Sequence, residues 1–488
     1  MRSSVALPGL VLIGLGAWLL WVGAHHEPWV DEAQAWLLAR DCSLSELLGV
    51  RLRYEGSPGL WHVILWGLVR AGMPYGALFL ISTGCALAGA AIVLFRAPFP
   101  LPLRVLVVSS YFFAYQYAVV ARSYALDLVL VPALAATYAR RLERPLAYGA
   151  LVALLANANA HSFVLAAVLG LELAWSAHRS GRWRGAGPGV AIALAAGALA
   201  VFVARPAPDV SFLANGTRAD PFVAGITFVQ HALLERLAPW VDDETALGGA
   251  PAALIVSLLA VMPTFVLARR AGVLPLAAGV VSALVVFSAL LYANAWHAGI
   301  LTLAWLFVLW ISWPKVSEWP ELGRIVLVST GALLALSTIE TGLSGMRDVR
   351  TSYDGAPAAA RAIAELRRAH PDAVIAGAGF KAMAIQPYGD GNVFANYANG
   401  APSPSYVSWA SDAPWRPGAT LEVARAALAS HPDALLISTF PETPDELAGF
   451  EHEARAAGMR VRARFAGTLI WRGHPDQDDG LVLFERAR

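Results

Sequence analysis

The sequence is poor in charge. Only 15% of its 488 residues are Asp, Glu, Lys or Arg, against about 25% in a typical soluble domain. Hydrophobic residues make up 57% of the chain, and long runs of them carry no charge. This combination excludes a disordered chain or an ordinary soluble protein and indicates the lipid bilayer as the main solvent. The net charge of +1 comes with no basic face, so we expect no nucleic-acid partner.

Cysteine is scarce as well. Cys42 lies in a polar segment and Cys85 in an apolar run, so we expect no disulfide between them. The chain has no CxxC or Cys/His pattern for zinc, and no Gly-rich dinucleotide loop or Walker-type motif in a strand–helix context. These absences exclude a disulfide scaffold, and they leave no sign of a soluble nucleotide-binding fold.

Apolar runs predict about eleven transmembrane helices. We interpret the first, within residues 1–24, as a retained helix instead of a cleaved signal peptide, because later spans need the same orientation. The other predicted spans are 76–95, 105–121, 123–139, 145–160, 162–177, 187–204, 249–268, 273–293, 299–313 and 325–339. The run 59–69 is short and predicts an interfacial helix, and 224–240 predicts an amphipathic helix on the outer surface.

The basic residues predict the orientation. Arg and Lys cluster in every second connection if the N-terminus is cytoplasmic. Residues 25–70, called the first loop below, then lie outside. The chain is predicted to be a multi-pass protein of the inner (plasma) membrane.

Beyond residue 342 the composition becomes that of an α/β domain. We predict helices at 358–370, 421–431 and 444–457, and strands at 373–378, 434–439, 460–471 and 481–485. An odd number of spans places this domain in the periplasm. The predicted fold is therefore a polytopic α-helical membrane domain, 1–342, followed by an extracytoplasmic α/β domain, 343–488.

Two carboxylates stand at the start of the first loop. Asp31 and Glu32 fall in the first turn of a helix predicted to begin near Pro28, beside Trp29 and Trp36. One interpretation is that they complement the helix dipole. The other is that a carboxylate at the membrane surface acts as a general base toward a hydroxyl group.

Two further positions with polar groups follow. Glu55 precedes a tight turn, and either it is a solvated carboxylate or it serves an acceptor or a divalent metal. His62 lies in the same predicted acceptor or metal vicinity, although it also fits an interfacial histidine. Arg122, with Tyr124 beside it, separates two uncharged spans almost without a loop. Its guanidinium either reaches to the interface or binds a phosphate.

Three polar residues end other spans on the same predicted side: Asn159, His161 and His297. Each histidine alone fits a structural role. Together with Asp31 and Arg122 they predict a polar pocket on the outer face.

These segments resemble a known family. The sequences Trp29-Val30-Asp31-Glu32-Ala33, Glu55-Gly56-Ser57-Pro58-Gly59-Leu60-Trp61 and Ala121-Arg122-Ser123-Tyr124 are similar to motifs of the GT-C class of integral-membrane glycosyltransferases. The resemblance is to bacterial relatives of protein O-mannosyltransferases and of the lipid A aminoarabinose transferases. It covers about residues 11–340.

The resemblance implies a function. The donor is a sugar on a polyprenyl phosphate, and the acceptor is a hydroxyl group of a lipid, glycan or protein on the outer face. Asp31 matches the catalytic carboxylate, here a general base in an inverting transfer, and Glu55 matches a residue near the acceptor or a metal. Arg122 matches a position close to the lipid phosphate, where His297 would assist. No cofactor is implied beyond a divalent metal, which stays open.

Two other functions stay open. A transporter or flippase of lipid-linked sugars would place ionisable residues near the middle of the membrane and show paired repeats. The charges of this chain gather instead at the outer ends, with Glu172 as the main exception. A scaffold whose outer domain binds a partner is the third interpretation.

Overall fold

The computed structural model describes residues 3–210, 220–241, 250–291, 294–397, 405–410, 420–431, 433–439, 451–452, 454–456 and 458–487. Within these residues the chain is a polytopic helical protein with a small C-terminal sheet. Seven helical segments of this described part are long and apolar enough to cross a membrane: Ala6–Gly23, Tyr75–Arg96, Ala160–Arg179, Trp183–Ala204, Ala250–Arg270, Ala295–Glu318 and Pro320–Arg350.

The α-helices of the described residues are numbered in chain order. Their bounds are α1 Ser3–Gly23, α2 Val30–Asp41, α3 Leu44–Glu46, α4 Leu52–Glu55, α5 Leu60–Arg70, α6 Phe79–Arg96, α7 Leu101–Ser109, α8 Ala125–Thr137, α9 Pro145–Ala156, α10 Ala160–Arg179, α11 Trp183–Ala204, α12 Pro221–Ala232, α13 Ala250–Arg270, α14 Leu274–Leu290, α15 Gly299–Ser312, α16 Pro320–Arg350, α17 Ala356–Ala369 and α18 Thr420–Ser430. Nearly all of α15 is buried, so it lies at the centre of the bundle.

The predicted span 105–121 is not one helix. α7 ends where Ser110 adopts an extended conformation, and a π-helix, Phe112–Gln116, follows. Side chains of α16 satisfy the exposed backbone groups: Ser337 Oγ accepts from the Tyr111 N–H (3.0 Å), and Thr341 donates to the Ser109 carbonyl (2.8 Å). A bilayer tolerates such irregular backbone only where neighbouring helices satisfy it.

Glycine permits the closest helix contacts. A Cβ at Gly89 of α6 would collide with the Leu128 carbonyl of α8, and one at Gly149 of α9 would collide with the backbone at Gly189 of α11. Small residues let helix backbones approach in a membrane, where packing replaces the hydrophobic effect. The segment 117–124, which precedes α8, contacts the first loop through Ala121 and Arg122.

The C-terminal domain contains a four-stranded sheet in the order β1-β2-β6-β3 and a separate hairpin, β4-β5. The strands are β1 Ile375–Ala378, β2 Leu435–Thr439, β3 Met459–Phe465, β4 Thr468–Trp471, β5 His474–Asp478 and β6 Leu481–Arg486. β1 and β2 are parallel, while β6 is antiparallel to both β2 and β3. Leu436, Val482 and Phe484 of the sheet form a core with Ala424 and Ala427 of α18.

Several sequence predictions need correction. The predicted strand 460–471 is two strands, β3 and β4, and the helix predicted over 224–240 ends at Ala232. α16 continues through the predicted domain boundary at 342 to Arg350. Most of the helix predicted at 444–457 lies outside the described residues.

The C-terminal domain packs against the first loop. Arg40 of α2 donates to the Gly389 carbonyl (3.2 Å), and Glu27 accepts from the Tyr353 backbone N–H (3.0 Å). The end of the helix bundle at which these contacts form is called the domain end below.

Candidate functional site

The central feature of the site is an ion pair between Asp31 and Arg122. Asp31 lies in the first turn of α2, and Arg122 lies in the irregular segment before α8, yet the guanidinium Nη1 donates to Asp31 Oδ2. Both side chains keep contact with solvent, with 31% of Asp31 and 23% of Arg122 exposed. The guanidinium also lies over the Trp29 ring, 5.8 Å from its centroid. An anion entering from solvent can therefore compete with Asp31 for Arg122.

Glu32, the neighbouring carboxylate, is almost completely buried. Its Oε1 accepts from the Ala121 backbone N–H (2.6 Å), and its Oε2 accepts from the Trp29 backbone N–H (3.2 Å). Glu32 thus caps its own helix and fixes the residue before Arg122. This geometry favours the helix-capping interpretation of Glu32 over a catalytic one.

A buried histidine holds Glu32 in turn. His26 Nε2 lies 3.0 Å from Glu32 Oε2, and His26 Nδ1 lies 2.9 Å from Asp348 Oδ2 on α16. Tyr115 also donates to Asp348 Oδ2, over 3.0 Å. Burial alone would lower the pKa of His26, but the two carboxylates together raise it well above its ordinary value. His26 is therefore a cation that links the first loop to α16 beneath the site.

Glu55 is the second acidic group of the site. Gln34 Nε2 donates to Glu55 Oε1 over 2.6 Å, and the side chain of Trp409 forms another hydrogen bond with this carboxyl. Burial, together with the negative charge of Asp31, raises the pKa of Glu55 to about 7, against the lowering effects of Gln34 and Arg122. Glu55 thus shares the electrostatic field of the Asp31–Arg122 pair and titrates near neutral pH.

Gln34 also ties the C-terminal domain to this position. Its amide donates to the Val407 carbonyl (3.0 Å) and accepts from the Val407 backbone N–H (2.8 Å), as a neighbouring strand would. This pair of bonds places the segment 405–410, with Trp409, over Glu55. The C-terminal domain therefore contributes directly to the site.

His62 of α5 is buried beside the turn that follows Glu55. Its Nδ1 lies 3.4 Å from Ser57 Oγ. Burial lowers the pKa of His62 to about 4, and the positive charge of Arg122 acts in the same direction. His62 is thus neutral at physiological pH and close enough to Arg122 to sense its charge.

Three other predicted residues form an aromatic layer at the domain end. Tyr124 stacks on Tyr117 (5.1 Å between centroids) and contacts His297 at 5.5 Å. The His161 ring lies 4.7 Å from the His297 ring and 5.9 Å from Phe228. The structure therefore brings Tyr124, His161 and His297 together, but within a packed layer.

Asn159 has a structural role. Its side chain caps α10 by accepting from the Ser162 N–H (2.8 Å), and its Nδ2 donates to Asp127 Oδ2 (3.0 Å). Ser162 Oγ donates to the other oxygen of Asp127, over 2.6 Å. Asn159 thus joins α8 to α10 beneath the site and does not line a pocket with Asp31.

Comparison of the chain with models of known families, with curated proteins and with solved structures finds no significant match. The residues of the site therefore carry the evidence on function.

The predicted metal role of Glu55 gains no support from the described residues. Among them, no group of three or more His, Cys, Asp and Glu side chains lies close enough to hold an ion. The donors around Glu55, Gln34 and Trp409, are N–H groups, which do not bind cations.

Sequence reasoning missed several members of the site. His26 and Gln34 lie in the same polar loop as Asp31, and their pattern alone does not distinguish them from solvated residues. Asp348, Val407 and Trp409 lie more than 300 residues further along the chain. No local signal connects them to the first loop, because α16 brings Asp348 there and the C-terminal domain brings Val407 and Trp409.

Proposed function

We propose that this protein is a membrane glycosyltransferase of the GT-C type that moves a sugar from a polyprenyl-phosphate donor to an acceptor hydroxyl. The observation that carries the proposal is the solvent-accessible pair of Asp31 and Arg122 at the domain end. A carboxylate and a guanidinium side by side supply the two functions that the reaction needs, a proton acceptor and a phosphate ligand.

The reaction is a single displacement. The donor phosphate binds Arg122 and displaces the Asp31 carboxylate, which then accepts the proton of the acceptor hydroxyl. The acceptor oxygen forms a bond to the anomeric carbon while the bond from that carbon to the phosphate oxygen breaks. The phosphate leaves with the electron pair, and Arg122 stabilises its charge. The anomeric configuration is inverted.

The proposal includes the topology. Four shorter apolar stretches bring the seven long segments to eleven crossings. They are residues 101–121, Ala125–Thr137, Pro145–Ala156 and Leu274–Leu290. With a cytoplasmic N-terminus, the first loop and the C-terminal domain then face the periplasm. The polyprenyl tail of the donor stays in the bilayer while its phosphate reaches Arg122.

A transfer assay tests the function. Purified protein in nanodiscs is given a radiolabelled sugar on a polyprenyl phosphate, together with a cell-envelope fraction as acceptor. Transferase activity moves label to the acceptor fraction. In proteoliposomes, label that crosses the bilayer while it remains on the lipid would identify a flippase instead, and no movement in either assay would leave a scaffold.

Arg122→Ala is expected to raise the KM for the donor about tenfold or more, because a charge-assisted contact to phosphate is worth about 1.5–3 kcal/mol. The KM for the acceptor should change much less. Arg51→Ala is the matched control, since Arg51 pairs with Glu46 in the same loop. An unchanged donor KM in Arg122→Ala would refute the phosphate role.

The pKa of Glu55 predicts a pH dependence. If the ionised Glu55 assists the acceptor, the transfer rate rises about tenfold from pH 6 to pH 8, with its midpoint near 7. Glu55→Gln should remove this rise. It should also raise the Tm at pH 8, because a carboxyl whose pKa is raised on folding destabilises the protein once it is ionised. A pH profile that keeps the same midpoint in Glu55→Gln would exclude this role.

A further inference from the structure

A polar cavity lies between the β4-β5 hairpin and the domain end of α16. Its volume is about 250 Å³, and it is lined by Glu235, Arg236, Pro239, Glu340, Trp471, Arg472, His474, Pro475 and Asp476. None of these residues belongs to the Asp31–Arg122 site. Most of the lining is polar and much of it is charged, so the cavity is suited to a hydrophilic ligand.

The turn that forms this cavity is strained. Arg472 has a φ of 48°, in the left-handed region that favours glycine, and Gly473 follows with a φ of 85°. Two successive residues with positive φ form the tight turn that joins two antiparallel strands. Asn, Asp or Gly would adopt this conformation at lower cost. The arginine at this position places its side chain in the lining of the cavity.

Arg472 is 3% exposed, and its guanidinium pairs with two carboxylates. Its Nη1 donates to Glu340 Oε2 over 2.5 Å, and its Nε lies 3.8 Å from Glu235 Oε1. Glu235 also accepts from the indole of Trp471, over 2.7 Å. Within the described part of the chain, the Nε–H of Arg472 has no hydrogen-bond acceptor. A ligand with an oxygen acceptor would satisfy it.

The charge of the lining selects the ligand. Three carboxylates, Glu235, Glu340 and Asp476, face two guanidiniums, Arg236 and Arg472. With all of these groups ionised, the described lining carries a formal excess of one negative charge, which disfavours a phosphate or a uronate. Trp471 supplies an aromatic surface, and the carboxylates supply hydrogen-bond acceptors for hydroxyl or ammonium groups.

We propose that this cavity binds a sugar ring that bears hydroxyl groups and no negative charge. The ring belongs either to the acceptor or to the donor sugar, and this assignment depends on the proposed function. The binding of a sugar ring in the cavity does not depend on that function. A chain of contacts connects the cavity to the site. Trp471 packs on Tyr111 (5.4 Å between centroids), the Tyr111 ring lies 5.8 Å from the Tyr115 ring, and Tyr115 donates to Asp348, the partner of His26.

Saturation-transfer NMR on the full chain in nanodiscs tests the binding. The probes are three methyl glycosides: a neutral hexoside, an aminohexoside and a hexuronide. We expect the first two to bind about fivefold or more tighter than the hexuronide. Asp476→Ala should reduce the preference for the aminohexoside over the hexuronide several-fold. Pro475→Trp, at the exposed rim, should abolish binding of all three probes.

Two controls make the result specific. Glu365→Ala removes an exposed carboxylate of the same domain on α17 and should change nothing. Asp31→Asn should leave probe binding intact, so the cavity can be confirmed even if transfer is never found. Equal affinity for the three probes, or binding that survives Pro475→Trp, would overturn the proposal.

The KM values for donor and acceptor then show which of the two sugars occupies the cavity. A raised KM for the acceptor in Pro475→Trp places the acceptor sugar in the cavity, and a raised KM for the donor places the donor sugar there. If neither KM changes in an active variant, the cavity does not serve the reaction.

Discussion

Asp31→Asn should reduce the rate of sugar transfer about a thousandfold or more and leave the protein folded. Removal of a general base typically costs a factor of about 10² to 10⁴ in rate. Asparagine has nearly the shape of aspartate and can still accept a hydrogen bond from Arg122, so donor binding should persist. The measurement is kcat for label transfer in nanodiscs, together with the Tm of the variant.

Glu46→Gln is the matched control for this variant. Glu46 lies in the same first loop and pairs with Arg51 as Asp31 pairs with Arg122, but outside the site. It should retain its full transfer rate. If Asp31→Asn is folded and turns over at the rate of the unsubstituted protein, Asp31 is not the base.

His26→Ala should lower the free energy of unfolding by about 3–5 kcal/mol, the typical cost of removing one partner from a buried ion pair. The substitution leaves the carboxylates of Glu32 and Asp348 buried without the cation between them. It also loosens the support of Ala121 and therefore of Arg122. The Tm of the purified protein, with and without the substitution, measures the effect.

The pH dependence of the stability tests whether the positive charge of His26 is the cause. Because the pKa of His26 is raised on folding, its stabilising effect is complete below the unfolded value of 6.5 and is lost as pH rises through the folded value. His26→Ala with Asp348→Asn should be more stable than His26→Ala alone, since one negative charge is removed. His25→Ala, at the exposed neighbouring histidine, is the control. An equal loss of stability from His25→Ala and His26→Ala would contradict this role.

Composition and periodicity predict much of the fold. Apolar runs locate α10, α11, α13 and α16, because a bilayer imposes a length and an absence of charge that are visible in sequence. Alternating helix and strand patterns likewise predict α17, β1, β2 and β6. The break at Ser110 was not predicted, because it depends on Ser337 and Thr341 of a distant helix.

The candidate site was only partly predictable. A carboxylate after a span and an arginine between two spans are unusual enough to suggest that Asp31 and Arg122 meet. By contrast, the sequence cannot distinguish Asp31 from Glu32, since only tertiary contacts bury one and expose the other. The role of Gln34 depends on a segment of the C-terminal domain that no local pattern connects to it.

A cryo-EM map of Asp31→Asn with a polyprenyl-phosphate sugar bound tests the transfer site most directly. We expect the phosphate within hydrogen-bond distance of the Arg122 guanidinium, with the anomeric carbon beside position 31 and the lipid tail in the bilayer. A phosphate bound away from Arg122, or a donor sugar that does not reach position 31, would contradict this expectation.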